Sequence, residues 1–121
     1  MRFGVVVAAV FGALAVAMGA FAAHALKGTL SVESLGVLQT AVQYQFIHAL
    51  ALLLVVIYGK QHSCVVLRYS AVFFGVGVIL FSGSLYALVL SPLKPGVLTP
   101  IGGSLLILGW LTLGYSAWRA K

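Results

Sequence analysis

The residues best suited to chemistry lie on one stripe of a long apolar segment, residues 40–58. At helical spacing, Thr40, Tyr44 and His48 share a face, and Gln45 lies beside them. Polar groups inside a bilayer are costly and therefore face protein or a cavity. We expect His48 to be a neutral imidazole near mid-depth, hydrogen-bonded within the protein. The competing hypothesis is a site for a ligand or a proton.

The segments that must position these residues belong to a membrane protein. The 121-residue chain is 63% hydrophobic and 7% charged, with a mean hydropathy of +1.19, whereas about a quarter of the residues in a soluble domain are charged. Roughly 20 helical residues cross a hydrocarbon core of about 30 Å. The pattern predicts an all-α polytopic membrane protein. We expect one domain, residues 1–121, built as a four-transmembrane-helix bundle with spans at about 3–25, 36–58, 68–88 and 99–118.

Local signals indicate how these segments begin. The first apolar run exceeds the roughly 7–15 residues of a signal-peptide core, so we interpret it as a retained helix. Ser31 is a good N-cap with Glu33 in the following turn, which predicts that the second helix begins near Val32. Thr99 followed by Pro100 predicts the cap and first position of the last helix.

Small residues recur at helical spacing along the first segment. Ala9, Ala13 and Ala17 form one face, and Ala15, Gly19 and Ala23 form another, with Ala8 and Gly12 alongside. Such faces allow helices to approach closely in lipid. We favour packing within the chain as their main use, and we also expect a homo-oligomer because so short a chain leaves small-residue faces for contacts between subunits.

The positive charges indicate topology rather than nucleic-acid binding. The formal net charge is +6, but the seven cations lie singly at segment ends, without a basic cluster that interleaves aromatic residues. Five of them, Arg2, Lys60, Arg68, Arg119 and Lys121, fall on the side of both termini, here called the inner end, and two, Lys27 and Lys94, fall at the opposite, outer end. The asymmetry predicts that both termini face the cytoplasm, in a bacterial inner membrane.

Further polar side chains gather toward the outer end and at mid-depth. This outer polar cluster comprises His24, Tyr44, Gln45, His48, Ser82, Ser84, Tyr86 and Thr99. The inner segments 5–11, 52–57 and 105–108 contribute no polar side chain. An apolar stretch of this length excludes water and ions. We therefore expect a shallow outward-facing pocket or a filled hydrogen-bond knot, sealed below His48, and not a channel through the resting fold.

The residues needed for catalysis or for a metal do not come together in the sequence. There is no Asp, and Glu33, the one acidic residue, falls in a connection. His24 and His48 differ in depth by more than two axial ligands of one iron allow. Cys64 is alone, so neither a disulfide nor a cysteine metal site forms within one chain. We expect no cofactor, no metal and no catalytic residues.

Several strings resemble one known family over nearly the whole chain. The strings are 19–26 (GAFAAHAL), 40–50 (TAVQYQFIHAL), 80–86 (LFSGSLY) and 99–103 (TPIGG) with Gly109-Trp110. They are similar to those of the YgdD/YwdK-like small integral membrane proteins, a family of unknown function, although alanines replace two usual glycines in the first string. The resemblance implies an inner-membrane protein with four helices and implies no particular activity.

Two classes of function fit these features. The first is a non-enzymatic membrane protein that binds an unidentified membrane protein, a small ligand or a lipid through the outer polar cluster. The second is a small homo-oligomeric transporter or channel. A polar lining through the inner half would favour transport, and a closed apolar inner half would favour binding or a structural role.

Overall fold

The computed structural model describes residues 2–120, so Lys121 of the predicted cation set lies outside the described residues. Within that range the chain forms α1 (Arg2–His24), α2 (Val32–Gln61), α3 (Val65–Leu90) and α4 (Leu98–Arg119). Each of these four described helices is long and apolar enough to cross a membrane. The predicted all-α fold with four membrane-spanning helices is therefore confirmed. The longest helix, α2, has 30 residues and extends beyond a hydrocarbon core of about 30 Å.

The two predicted helix starts have opposite outcomes. Ser31 caps α2 as predicted, since its Oγ accepts a 3.1 Å hydrogen bond from the Ser34 N–H. The prediction for Thr99 is wrong, because α4 begins at Leu98 and its N-cap, Val97, makes no side-chain cap bond. The Thr99 hydroxyl instead pairs with Ser84 on α3 at 2.6 Å.

The helices pack in chain order, α1 on α2, α2 on α3 and α3 on α4. The second small-residue face of α1 packs on the bundle only in part, since Ala15 is buried and Ala23 is exposed. The buried residues of α1 are Ala8, Ala15 and Ala22. Gly4 lies against Val56 and Gly19 against Val42, as expected for an antiparallel pair. The other small-residue face, Ala9, Ala13 and Ala17, is exposed.

The closest approach is between α3 and α4, and glycines permit it. A Cβ on Gly102 would collide with the backbone of Phe81, and one on Gly109 would lie 2.6 Å from the Phe74 ring. In addition, the buried Ser70 hydroxyl donates to the carbonyl of Gly109 at 2.8 Å. This pair of helices therefore places the Phe74 and Phe81 rings beside α2, where the polar stripe lies.

A cluster of buried apolar side chains lies in the inner half of the bundle. Leu52, Val55, Leu67 and Phe74 are buried in one cluster, to which α1 and α4 also contribute. In lipid this packing supplies dispersion contacts rather than a hydrophobic driving force. The cluster lies directly inward of His48 along α2.

Candidate functional site

The centre of the outer polar cluster is the side chain of His48, which bridges two helices. It is 6% exposed. Its Nδ1 lies 2.7 Å from the carbonyl oxygen of Tyr44, one turn earlier on α2. On the other side of the ring, the indole N–H of Trp110 on α4 donates to Nε2 at 3.0 Å. The predicted hydrogen bonding of His48 within the protein is thus confirmed.

These two bonds also define the tautomer. A carbonyl oxygen only accepts and an indole N–H only donates, so Nδ1 carries the proton and Nε2 presents a lone pair. This is the neutral imidazole with both ring nitrogens engaged. A second proton on Nε2 would break the bond to Trp110, so the geometry favours a structural histidine over one ready to accept a proton.

Three aromatic rings surround the imidazole. Phe74, fully buried, lies 5.7 Å from the His48 ring centroid and 5.1 Å from that of Trp110. Tyr44 stacks on His48 at 5.9 Å and meets Phe81 at 4.7 Å. The rings place an apolar wall around the polar atoms. Two of these rings form the exposed edge of the cluster, since Tyr44 is 40% and Trp110 44% exposed.

Gln45 forms the second bridge and joins three helices. Its Nε2 donates to the Phe11 carbonyl of α1 at 2.8 Å, while its Oε1 accepts from the Tyr86 hydroxyl of α3 at 2.5 Å. The carbonyl of Phe11 can only accept, which fixes the orientation of the amide. Gln45, which is 4% exposed, thus connects α2 to both α1 and α3.

Two serines of α3 complete the cluster. Ser82 donates to the Ala41 carbonyl of α2 at 2.7 Å. Ser84 pairs with Thr99 at 2.6 Å and donates to the carbonyl of Phe81 in its own helix at 2.8 Å. Among residues 2–120, no buried side-chain nitrogen or oxygen lacks a hydrogen-bond partner. Of the two predicted arrangements, these contacts match the filled hydrogen-bond knot.

The structure brings together most, but not all, of the predicted cluster. Gln45 with Tyr86, and Ser84 with Thr99, are direct pairs. His24 lies apart, exposed at the last residue of α1. Tyr44 contributes its ring and its carbonyl. The partners of His48 are the Tyr44 carbonyl and Trp110, which lies outside the predicted cluster.

Trp110 contacts the cluster through His48 but does not belong to the set predicted from the sequence. Tryptophan in membrane proteins usually lies at the membrane interface. The position of Trp110 was the available signal, because it is the thirteenth of the 22 residues of α4 and so lies well inside the span. Across the described part of the chain, no group of three His, Cys, Asp or Glu residues could hold a metal ion.

Comparison with known proteins now identifies the family. A family model described as DUF423, a protein of unknown function, matches residues 18–103, which hold every member of the cluster and Phe74 but not Trp110. The chain belongs to the DUF423 family. It is 39% identical to the UPF0382 inner membrane protein YgdD of Escherichia coli K12, over 99% of this chain and 92% of the relative.

Other DUF423 relatives are similarly close. A UPF0382 membrane protein of Haemophilus influenzae is 39% identical, over 93% of this chain and 91% of its own. One from Staphylococcus aureus is 41% identical, over 93% of each chain. No solved structure matches the chain. These findings, with the four apolar helices described for residues 2–120, establish a small multi-pass inner-membrane protein.

Proposed function

We propose that this DUF423 protein is a non-enzymatic membrane protein that binds a membrane partner, a small ligand or a lipid at the exposed margin of the outer polar cluster. The observation that carries the proposal is the contrast between interior and margin. Gln45, His48 and Ser82 are hydrogen-bonded and buried. Tyr44 and Trp110 contact the buried His48, while much of each ring stays exposed. We call these two exposed rings the binding margin.

The physical reason is preorganisation. A rigid aromatic ring held by neighbours loses little conformational entropy when a partner covers it. Tyr44 is held by stacking on His48 and Phe81, and Trp110 by its bond to His48 and its edge contact with Phe74. His48 thus acts as a positioning residue for both rings, and its engaged nitrogens give it no part in acid–base chemistry.

The transporter or channel remains the second candidate, and the apolar packing inward of His48 argues against it. Leu52 and Val55, one and two turns inward of His48 on α2, are buried, as is Leu67 near the inner end of α3. The segment 105–108, predicted to belong to the inner half, lies outward of this layer, because it precedes Trp110 on α4 and Trp110 bonds His48. A hydrated path would have to cross this layer. Apolar constrictions of this kind exclude ions.

Orientation and assembly belong to the same proposal. We expect one domain with both termini in the cytoplasm, since the described inner-end cations, Arg2, Lys60, Arg68 and Arg119, outnumber Lys27 and Lys94. We also expect a homo-oligomer through Ala9, Ala13 and Ala17, a small-residue face that is exposed on α1. In a Cys64→Ser background, Ala13→Cys should form covalent dimers in native membranes and Leu111→Cys on α4 should not. Monomer alone from both would contradict the oligomer.

Site-specific photocrosslinking tests the binding margin. A benzophenone amino acid replaces Tyr44, and the matched control replaces Leu54, which is 60% exposed on the same helix. Irradiation of native membranes should give one discrete adduct at position 44 and only heterogeneous bulk-lipid adducts at position 54. The mass of that adduct separates a protein partner, a small ligand and a second copy. Identical bulk-lipid adducts at both positions would overturn the proposal.

A further inference from the structure

The inner end of the bundle carries a cavity unrelated to the outer polar cluster. It has a volume of about 320 Å³ and lies where α2 turns into α3. Lys60 and Arg68 line its mouth, and Val55, Val56 and Leu67 form part of its apolar wall. No carboxylate belongs to the lining residues. We name this cavity the basic pocket.

A second cavity continues from the basic pocket toward the middle of the membrane. This groove, of about 330 Å³, runs between α1 and α3 and has an almost wholly apolar lining that includes Phe3, Val7 and Ile79. Ala71 lines both cavities, so they are neighbours along α3. From Ala71 to Ile79 the groove follows α3 for about 12 Å, close to one leaflet of an about 30 Å core.

Backbone groups at the basic pocket also favour negative charge. The N-cap of α3 is Cys64, so the positive end of the dipole of this 26-residue helix lies at the basic pocket. The N–H of Val66 lowers the pKa of the Cys64 thiol by stabilising its thiolate. Glu33, the one acidic residue of the chain, lies at the opposite end of α2.

We propose that the two cavities together bind one anionic phospholipid of the inner-end leaflet. Its phosphate lies between Lys60 and Arg68, and one acyl chain lies in the groove between α1 and α3. The basic pocket supplies charge complementarity at the membrane surface, where cations attract anionic lipids. The groove supplies an apolar slot that a soluble phosphate would leave empty. This lipid site is separate from the binding margin at Tyr44 and Trp110.

Native mass spectrometry of the purified full chain tests whether the basic pocket selects an anionic lipid headgroup. Phosphatidylglycerol and phosphatidylcholine with identical acyl chains are titrated in the same detergent. The wild type should retain phosphatidylglycerol about 10-fold more strongly, and Lys60→Gln/Arg68→Gln should lose that preference. The control, Lys27→Gln/Lys94→Gln, makes the same charge change at the outer end and should keep it. Equal retention of both lipids by the wild type, or equal effects of the two double variants, would overturn the proposal.

A second pair of variants tests whether an acyl chain of the lipid occupies the groove between α1 and α3. Gly75 lines the groove, and a Cβ there meets no neighbour within 4 Å, so Gly75→Leu should extend its side chain into the groove. Gly114 on α4 is equally open and serves as the control, Gly114→Leu. Only Gly75→Leu should weaken phosphatidylglycerol retention, and glycerol phosphate should not displace the lipid. Displacement by glycerol phosphate, or no difference between the two variants, would overturn the bound lipid.

Discussion

The indole N–H of Trp110 donates a 3.0 Å hydrogen bond to Nε2 of His48, and thereby joins α4 to α2 across the buried ring of Phe74. This one hydrogen bond accounts for two residues whose depth in the membrane is unusual for their types. A histidine near mid-depth needs a donor for its lone pair, and a tryptophan away from the interface needs an acceptor. Each satisfies the other.

Trp110→Phe should therefore destabilise the protein by about 1 kcal/mol, the usual net contribution of one such bond. Phenylalanine keeps the edge contact with Phe74 and removes only the donor. Trp118→Phe is the control, since Trp118 is exposed near the end of α4. Unfolding in mixed micelles should separate the two variants. Equal stabilities would mean that the bond does not contribute.

The glycines between α3 and α4 predict a second contrast. Gly102→Ala should destabilise the bundle by about 2 kcal/mol, because its Cβ would meet the backbone of Phe81, which cannot rotate away. Gly83 lies on the exposed face of α3, and a Cβ there meets nothing within 4 Å. Gly83→Ala should therefore be neutral or slightly stabilising. The same unfolding assay measures both. A tolerated Gly102→Ala would contradict the close approach of these helices.

Cys64 gives a direct test of orientation. If both termini face the cytoplasm, a membrane-impermeant maleimide should label Cys64 only after cells are opened. In a Cys64→Ser background, Gly28→Cys in the opposite connection should be labelled on intact cells. Efficient labelling of Cys64 from outside would reverse the topology.

The same thiol has a testable pH dependence. The Val66 N–H lowers the pKa of Cys64, so more thiolate is present at a given pH than in an ordinary cysteine. In opened membranes its maleimide rate should rise with pH and level off earlier than that of Gly28→Cys. A later plateau would contradict stabilisation of the thiolate by the first turn of α3.

The apolar layer inward of His48 predicts that the purified protein conducts no ions. Liposomes that contain it should show no ion flux above empty liposomes, because Leu52, Val55 and Leu67 belong to one buried apolar cluster. Robust flux that His48→Leu abolishes would instead support the transporter candidate.

The sequence allowed the fold to be predicted because its signals are local. Apolar runs of sufficient length define spans, and Ser31 with Glu33 marks a helix start. Helical spacing also placed Gln45 and His48 on one face, and the cost of polar groups in lipid required them to be covered. These inferences need only the neighbours along one helix.

The partners of those residues were not predictable in the same way, because they depend on how the helices pack. No feature of the neighbouring sequence indicates that the Trp110 side chain faces the other helices rather than the membrane interface. Thr99 precedes a proline as a cap residue would, yet its hydroxyl meets Ser84 on α3. The carbonyl of Phe11 that holds Gln45 has no side-chain signature at all. The sequence therefore indicated how deep these residues lie in the membrane, but not which neighbouring helix each side chain faces.

The protonation state of His48 in the bilayer tests the central claim most directly, because a neutral, doubly bonded imidazole positions the binding margin whereas a charged one would belong to a proton pathway. Solid-state NMR of nitrogen-labelled histidine in lipid bilayers distinguishes the two, with His48→Gln to assign the signals. We predict a protonated Nδ1 and an unprotonated Nε2 for His48 from about pH 6 to about pH 8. A protonated Nε2, or a doubly protonated ring within that range, would contradict the account.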